Sequence, residues 1–519
     1  MSANQTLLPT AHQLKDAGKS TKSVLINNAS RWLKPRPIGG ILFIIIVWYG
    51  LMTSANSPLK SRHKKASTSL QPKGSPFSST QLDRQSQIRE SFFRAYRKYA
   101  KPSWSHAAAA PLSLISKDAH NDDGATVVDS LTALYIMNLR EEFEIALNQT
   151  IHMDFQMSNV KDQATATPDG ETMIRCLGAV LSTCELLGAN QTKLLHKAQE
   201  LGDQLQTSLN FNRSAVPYPW LHFGTNQRDE KKPINLAQAG TLALEFNRLS
   251  HWTGNNSYRA RVDETSRHIM HNPPAFPGRH SPTSTASNGP PVGKILSWGA
   301  KLNSFLEYGI KYWQLAGEPA MYYMMYWQDS VDASIDHLLQ WTPRKNQPYL
   351  AGYSLARGGH QSDMSQLACF AAGNWMLGGK LIQNEAIFML GVGMAETCYQ
   401  SDSSTRDGGG YDVRDEKNLR CWRGETYKYM LLDLQKLAEK INNHVVDTTL
   451  FLRPEIAEIV WYAWRLTGDS VWQERAWSIY EASEKYFKAT GGYFAQDHLK
   501  ISAAAKHNST WVKYFEIQK

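Results

Sequence analysis

From Gln81 almost to the C-terminus, apolar residues return every three or four positions, the spacing of helices that bury one face. The first such stretch, QLDRQSQIRESFFRAYRKYA, reads as an amphipathic helix closed by Pro102, because proline breaks the backbone hydrogen-bond ladder. The same period predicts helices at about 124–139, 171–189, 192–208, 235–253, 298–317, 320–341, 361–378, 382–400, 420–441, 453–467 and 470–489. Strand-like alternation is scarce. Loops rich in Gly, Pro, Ser and Asn separate many of these stretches, as in Asn272–Gly293. No heptad seam and no clear repeat runs through them. The pattern predicts an all-α fold, either a helical bundle or an α/α barrel.

The stretch Phe451–Asp469, FLRPEIAEIVWYAWRLTGD, shows the pattern most completely. Pro454 suits a first helical turn, where its missing N–H costs nothing. Glu455 and Glu458 share one face, which Tyr462 extends, while Ile456, Ile459, Val460 and Ala463 form the apolar side. Gly468 ends the run as a C-terminal cap. The helix dipole alone favours two acids at this end. With Arg453 just before them, the same acids also make a cluster suited to a polar substrate. Both explanations stand on this stretch.

Ahead of the helical region the chain changes character. Residues 1–37 are polar and basic, a cytoplasmic tail. Residues 38–55 carry no charge and include ILFIIIVWY, enough to span a bilayer as a signal anchor. Residues 56–80 are rich in Ser, Lys and Pro, a disordered stem. Residues 81–519 then form the domain on the far, lumenal side. Composition adds one correction to this picture. The net charge of +9 would invite nucleic acid, but residues 1–75 hold eight Lys, three Arg and one Asp, a local sum of +10. The rest of the chain is near neutral, so no basic face is available for nucleic acid. The 16 Trp, 22 Tyr and 17 Phe supply a large core and flat side chains of the kind that sugars stack on. Five sequons follow the anchor, at Asn148, Asn190, Asn212, Asn255 and Asn508, as expected of a glycosylated lumenal domain. Among the five cysteines no spacing points to zinc.

Three further stretches carry candidate chemistry. DGETMIRCLGAVLSTCELLG, from Asp169, places Glu171 and Arg175 at i and i+4; on this stretch alone a capped helix with a surface ion pair is the plainer account. GAKLNSFLEYGIK, from Gly299, sets Lys301, Asn303 and Glu307 near one helix start, beside Phe305 and Tyr308; a solvated helix edge is the plainer account. NLAQAGTLALEFNRLSHWTG, from Asn235, carries Glu245 in an apolar helix, and a buried acid needs a partner.

Taken in order, these segments resemble the class I α-1,2-mannosidases, glycoside hydrolase family 47. GATVVDSLTALYIMNLREEF is similar to the family's early helix pair, GETMIRCLGAVLSTCELLG to its acid-plus-arginine helix, and NLAQAGTLALEFNRLSHWTG to its LEF segment. GAKLNSFLEYGIKYW is similar to its DSFYEY segment, QLACFAAG and AETCYQ to its two disulfide half-sites, and LRPEIAEIVWYAWRLTGD to its LRPE helix. Any one match is weak; seven in family order are specific. The resemblance spans about Gln81 to Tyr493.

It implies an (α/α)7 barrel with an axial pocket, in a type II membrane protein of the endoplasmic reticulum or Golgi. It implies inverting hydrolysis of α-1,2-linked mannose from N-glycans, with a calcium ion (Ca2+) gripping the sugar. High-mannose N-glycans on glycoproteins are then the partners. Carried over by position, Glu171 stands at the general acid, Glu455 at the candidate base and Asn303 at a second catalytic acid. Arg175, Glu245, Lys301, Glu307, Arg453 and Glu458 stand at sugar-facing positions, and Cys369 and Cys398 at the disulfide.

Several positions depart from the family. Asn303 replaces an Asp, and an amide cannot take a proton from water. Lys301 replaces an Arg, losing the planar fork. The family's His-Asp-Glu appears as His106 followed by Ala107–Ala110, its Asp-Thr pair as Thr132-Ala133, and one of its His as Gln366. After GGYFAQDH no closing helix and no Thr-Glu-Ala-His calcium site follows, so no residue here is assigned as a metal ligand and the barrel is expected to be incomplete. RGETYKYMLL echoes that closing helix but precedes LRPE. The retained acids point to a mannosidase; the departures point to weak turnover or to an inactive relative that binds high-mannose glycans or glycoproteins.

Overall fold

The computed structural model describes residues 70–493 except 73–75, 104–107, 110–115, 118–123, 156–166, 169–172, 189–190, 208, 210–215, 219, 222–232, 272–282, 286–294, 300, 343–345, 362–365, 404–453 and 490–491. The expected tail at 1–37, anchor at 38–55 and most of the stem at 56–80 therefore lie outside the described residues. So do Glu171, Arg453, the stretch 420–441, Cys421 and the sequons at Asn190, Asn212 and Asn508. No described helix is long and apolar enough to cross a membrane.

Helices dominate, in the order α1 (Ser79–Ser103), α2 (Ala125–Asp129), α3 (Leu131–Ile136), α4 (Arg140–His152), α5 (Gly178–Leu187), α6 (Thr192–Gln206), α7 (Leu236–Gly240) and α8 (Ala243–Thr253). They continue as α9 (Ser257–His271), α10 (Asn303–Ala316), α11 (Met321–His337), α12 (Phe370–Leu381), α13 (Glu385–Ser403), α14 (Glu455–Thr467) and α15 (Val471–Ala482). Strands are two or three residues long and pair in small antiparallel ladders, such as Leu339–Trp341 with Pro348–Leu350.

Consecutive helices fold back on each other as hairpins: α3 with α4, α5 with α6, α8 with α9, α10 with α11, α12 with α13, and α14 with α15. The first helices of these hairpins also pack on one another, α3 on α5, α5 on α8, α8 on α10, α10 on α12 and α12 on α14. Helix α1 brings the two ends together. Arg84 and Ser91 reach Glu474 and Tyr480 on the last hairpin, while Arg89 donates to the carbonyls of Met137 and Asn138 on the first. The first helices thus form an inner set and their partners an outer one. The inner character of α12 is plain in its sequence, where every residue from Phe370 to Gly379 is buried. Its glycines permit this: a Cβ on Gly378 would lie 2.2 Å from the Trp327 ring.

Local chemistry sets the boundaries. Asn235 and Gln238 form a capping box at the start of α7. Gly468 ends α14 in the left-handed conformation, as expected, and Glu455 opens it, so Pro454 is the residue just outside the first turn. The stretch expected from 298 begins only at Asn303, because Lys301 has φ 75°, which no α-helix accommodates. Pro102 lies within the last turn of α1, one residue before its end. Helices α4 and α9 escape the apolar period. Thr265 and Ser266 sit on the buried stripe of α9, and Ala146 and Thr150 on that of α4, so the inward faces read as polar or neutral.

Candidate functional site

Helix α10 carries Asn303, Glu307 and Lys311 one turn apart on one face, continued by Leu315. Glu307 is only 6% exposed, which rules out the solvated edge for this residue. Its Oε1 lies 2.5 Å from Lys311 Nζ. Lys311 Nζ is also 4.0 Å from Glu458 Oε1 on α14, and 5.7 Å from the centre of the Tyr462 ring. Helix α12 stands between α10 and α14 in the inner set, so this contact crosses its face. Gly373 makes room, since a Cβ there would come within 2.7 Å of Tyr462. Asn374 on α12 donates to the backbone carbonyl of Glu307 at 3.4 Å and accepts from Trp327 Nε1 at 2.6 Å. The Lys311 ammonium therefore stands between acids from two helices that are not neighbours. Burial alone would lower the Lys311 pKa, but Glu307, Tyr462 and Glu458 outweigh it and hold the ammonium well above the ordinary lysine value.

Glu455 is one turn before Glu458 on the same face and is 8% exposed. The 3-10 turn Leu367–Cys369 packs against α14 and is preceded by Gln366. Gln366 is 9% exposed, and among the described residues neither its amide nitrogen nor its amide oxygen has a hydrogen-bond partner. A buried, unsatisfied amide costs about 1–3 kcal/mol, a cost that a hydroxylated ligand offsets.

On the other side of α10, Tyr308 donates to Glu245 Oε1 at 2.6 Å. This supplies the partner that a buried acid requires. Burial first, then Glu245, drives the Tyr308 pKa well above its ordinary value, so the phenol stays a donor. Glu245 also lines a hollow of about 460 Å³ with Leu181, Ser182, Glu185, Leu244, Arg248 and Leu315. That volume falls within the usual range for ligand pockets, about 300–1,000 Å³. Arg248 Nε and Trp252 Nε1 both donate to Glu185 Oε1, at 2.5 and 2.8 Å.

The remaining expected residues are more dispersed. Arg175 sits in a π-helical turn, Met173–Leu177, ahead of α5, and its guanidinium lies 3.5 Å from Asp129 at the end of α2. Lys301 is exposed, and its carbonyl accepts from Ala237 N at 2.9 Å. Cys369 and Cys398 form the disulfide that the resemblance implied. Asn148 and Asn255 are both exposed. Among the acids assigned to the site, the structure brings Glu307 and Glu458 together through Lys311, and Glu245 to Tyr308 beside them. Lys311 and Asp129 went unnoticed in the sequence. The one-turn spacing from Glu307 was the available signal for Lys311; nothing local marks Asp129.

A calcium ion takes six to eight oxygen ligands. Among the described residues no group of three His, Cys, Asp or Glu is placed to hold a metal, and an ammonium already stands between Glu307 and Glu458. The described donors do not fit that ion.

The comparisons with known proteins agree with this architecture. The model of glycosyl hydrolase family 47 matches residues 91–510. The mannosyl-oligosaccharide alpha-1,2-mannosidase 1B of Aspergillus phoenicis is 28% identical over 444 residues, 82% of each chain. That of Aspergillus oryzae is 27% identical over 433 residues, 80% of this chain and 81% of its own. Among solved structures, the alpha-1,2-mannosidase from Trichoderma reesei superposes with a TM-score of 0.71 at 26% identity, covering 82% of this chain and 88% of its own. With the family model spanning most of its length, this chain belongs to glycosyl hydrolase family 47.

Proposed function

We propose that this chain hydrolyses α-1,2-linked mannose from high-mannose N-glycans, with inversion, inside an (α/α)7 barrel. The observation that carries the reading is the meeting of Glu307, Glu458 and Lys311 across the inner face of α12, one turn from the buried Glu455, in a chain of family 47. Inversion needs one carboxyl to protonate the leaving oxygen and another, far enough away to admit a water, to activate that water. Glu171 takes the first role and Glu455 the second. Arg175, Glu245, Lys301, Glu307, Arg453 and Glu458 hold the sugar and keep the two acids in place. The amide of Gln366, which has no partner among the described residues, supports a hydroxyl-rich ligand at the same end of α14. The family implies calcium, which would supply a Lewis-acidic grip on mannose hydroxyls; the described residues do not hold it, and no step above depends on it.

A second reading has its own observation. Asn303 opens α10 on the face shared with Glu307 and Lys311, and an amide there binds hydroxyls but moves no proton. A glycan-binding relative with little turnover uses the same interior. Incubation of the protein with a nine-mannose N-glycan separates the two: release of free mannose, lost in Glu455→Gln, supports hydrolysis, and retention of intact glycan supports binding.

The same proposal places the protein in the endoplasmic reticulum or Golgi membrane, anchored through residues 38–55 with its C-terminal domain lumenal. The Cys369–Cys398 disulfide supports an oxidising compartment, and the exposed Asn148 and Asn255 are accessible to glycosylation. Treatment of the cellular protein with an N-glycosidase checks this: a mobility shift is expected, and an unmodified protein in a soluble fraction contradicts it.

A further inference from the structure

Lys311 is not one of the groups assigned to the reaction, yet its placement is hard to explain by helix stability. A Glu–Lys pair at i and i+4 on a helix surface contributes about 0.2–0.5 kcal/mol and faces water. The Glu307–Lys311 pair faces inward, with Glu307 buried and the Lys311 side chain 16% exposed. The ammonium then reaches past α12 to a second carboxylate, Glu458, on a different inner helix. The face of α12 at this point is small and uncharged, Gly373 and Asn374. Tyr462 rests on Gly373 with its ring beside the ammonium. Removing the ammonium takes away a charge that stands next to both Glu307 and Glu458, which favours the protonated form of each carboxyl.

We propose that Lys311 is a positioning residue of the sugar site, its ammonium fixing Glu307 and Glu458 from separate helices as a pair of charged acceptors. The inference rests on the mannosidase reading for what the pair binds, but the arrangement of charges stands apart from it. Among the described residues, the titratable groups that face Lys311 are Glu307 on its own helix and Glu458 and Tyr462 on α14; α12 contributes none. A carboxylate pair held ionised accepts hydrogen bonds from two sugar hydroxyls, whereas a protonated pair loses acceptors and its fixed geometry.

The test compares the full chain with Lys311→Met and Lys311→Arg. Binding of a nine-mannose N-glycan is followed from pH 4 to 8, thermal unfolding is recorded for each protein, and carboxylate titration is read by infrared difference spectroscopy with labelled glutamate. Lys311→Met is expected to weaken glycan binding about tenfold and to move the acid limb of the binding profile up by about one pH unit. Lys311→Arg, which keeps the charge, is expected to restore the profile. Unchanged affinity and pH profile in a folded Lys311→Met protein overturn the proposal. So does a loss shared equally by the Met and Arg variants that tracks only their unfolding temperatures. If the Met variant does not fold, a wild-type pH profile in the Arg variant supports the proposal, and a displaced one overturns it. If the wild type binds no glycan, the mannosidase reading fails. The infrared titration then still decides: a carboxylate band that titrates higher in Lys311→Met supports the charge-fixing role, and identical titrations remove it.

Discussion

Tyr308 donates its phenolic hydrogen to Glu245 at 2.6 Å, tying α10 to α8 in the buried interior one residue from the Glu307–Lys311 pair. Successive residues of one helix thus serve two sides of the site. Glu307 looks past α12 toward α14, and Tyr308 looks to α8. Replacing Tyr308 with Phe removes the donor from a buried acid and is expected to lower stability by about 1–3 kcal/mol. Glu245→Gln keeps an accepting oxygen and should cost less. Denaturant unfolding of the two variants checks the order; equal losses contradict it.

Gly373 governs how closely Tyr462 approaches α12. A Cβ would lie 2.7 Å from the ring, so Gly373→Ala must push Tyr462 away from Lys311. The expected cost is about 1–3 kcal/mol from overpacking. The same substitution in a Tyr462→Ala background should cost clearly less, because the clashing ring is gone. A double-mutant cycle with no coupling would contradict the contact.

The disulfide joins the 3-10 turn before α12 to Cys398 within α13, closing a loop with a sequence separation of 29. Chain-entropy reasoning gives such a loop about 3.6 kcal/mol of stabilisation. Replacing both Cys369 and Cys398 with Ala should lower the unfolding temperature by several degrees and leave the wild-type helical signal intact at 20 °C or below. An unchanged unfolding temperature would contradict this. The Cys184 thiol is buried, and burial raises it to a pKa of about 11, so it is not expected to react readily at neutral pH.

Glu484 ties the C-terminal strands to α1. Burial would raise its pKa, but Lys488, Tyr493 and Ser91 hydrogen-bond the carboxylate and lower it below the ordinary value. A carboxyl lowered in the folded state binds its proton more readily when unfolded. Its contribution is therefore complete above the ordinary glutamate range and disappears as pH falls through the folded value. Glu484→Gln should flatten the acid limb of the stability profile at pH 3–5, measured by thermal unfolding; an unchanged limb would contradict it.

How much of this was legible beforehand depended on where the signal lay. The face of α14 was plain, because Glu455, Glu458 and Tyr462 recur at helical spacing against the buried Ile456, Ile459 and Val460. The need of Glu245 for a partner was also plain, and Tyr308 met it. The start of α10 was misplaced because only the backbone shows that Lys301 is left-handed. Lys311 was passed over because an i, i+4 pair looks alike on a wet face and a dry one; the third partner, Glu458, is 147 residues distant in sequence. Asp129 was missed for the same reason, since its contact with Arg175 depends on the packing of α2 against the π turn. Helix α9 hid its inward face behind Thr265 and Ser266.

The most direct measurement is release of free mannose from a nine-mannose N-glycan by the purified full chain, by Asn303→Asp and by Glu455→Gln. The wild type is expected to release mannose slowly. Asn303→Asp, which restores a carboxyl beside Glu307, should be faster, and Glu455→Gln slower than wild type by about a hundredfold or more. No release by the wild type or by Asn303→Asp, with no binding of the intact glycan by either, would contradict the assignment of this interior to mannose.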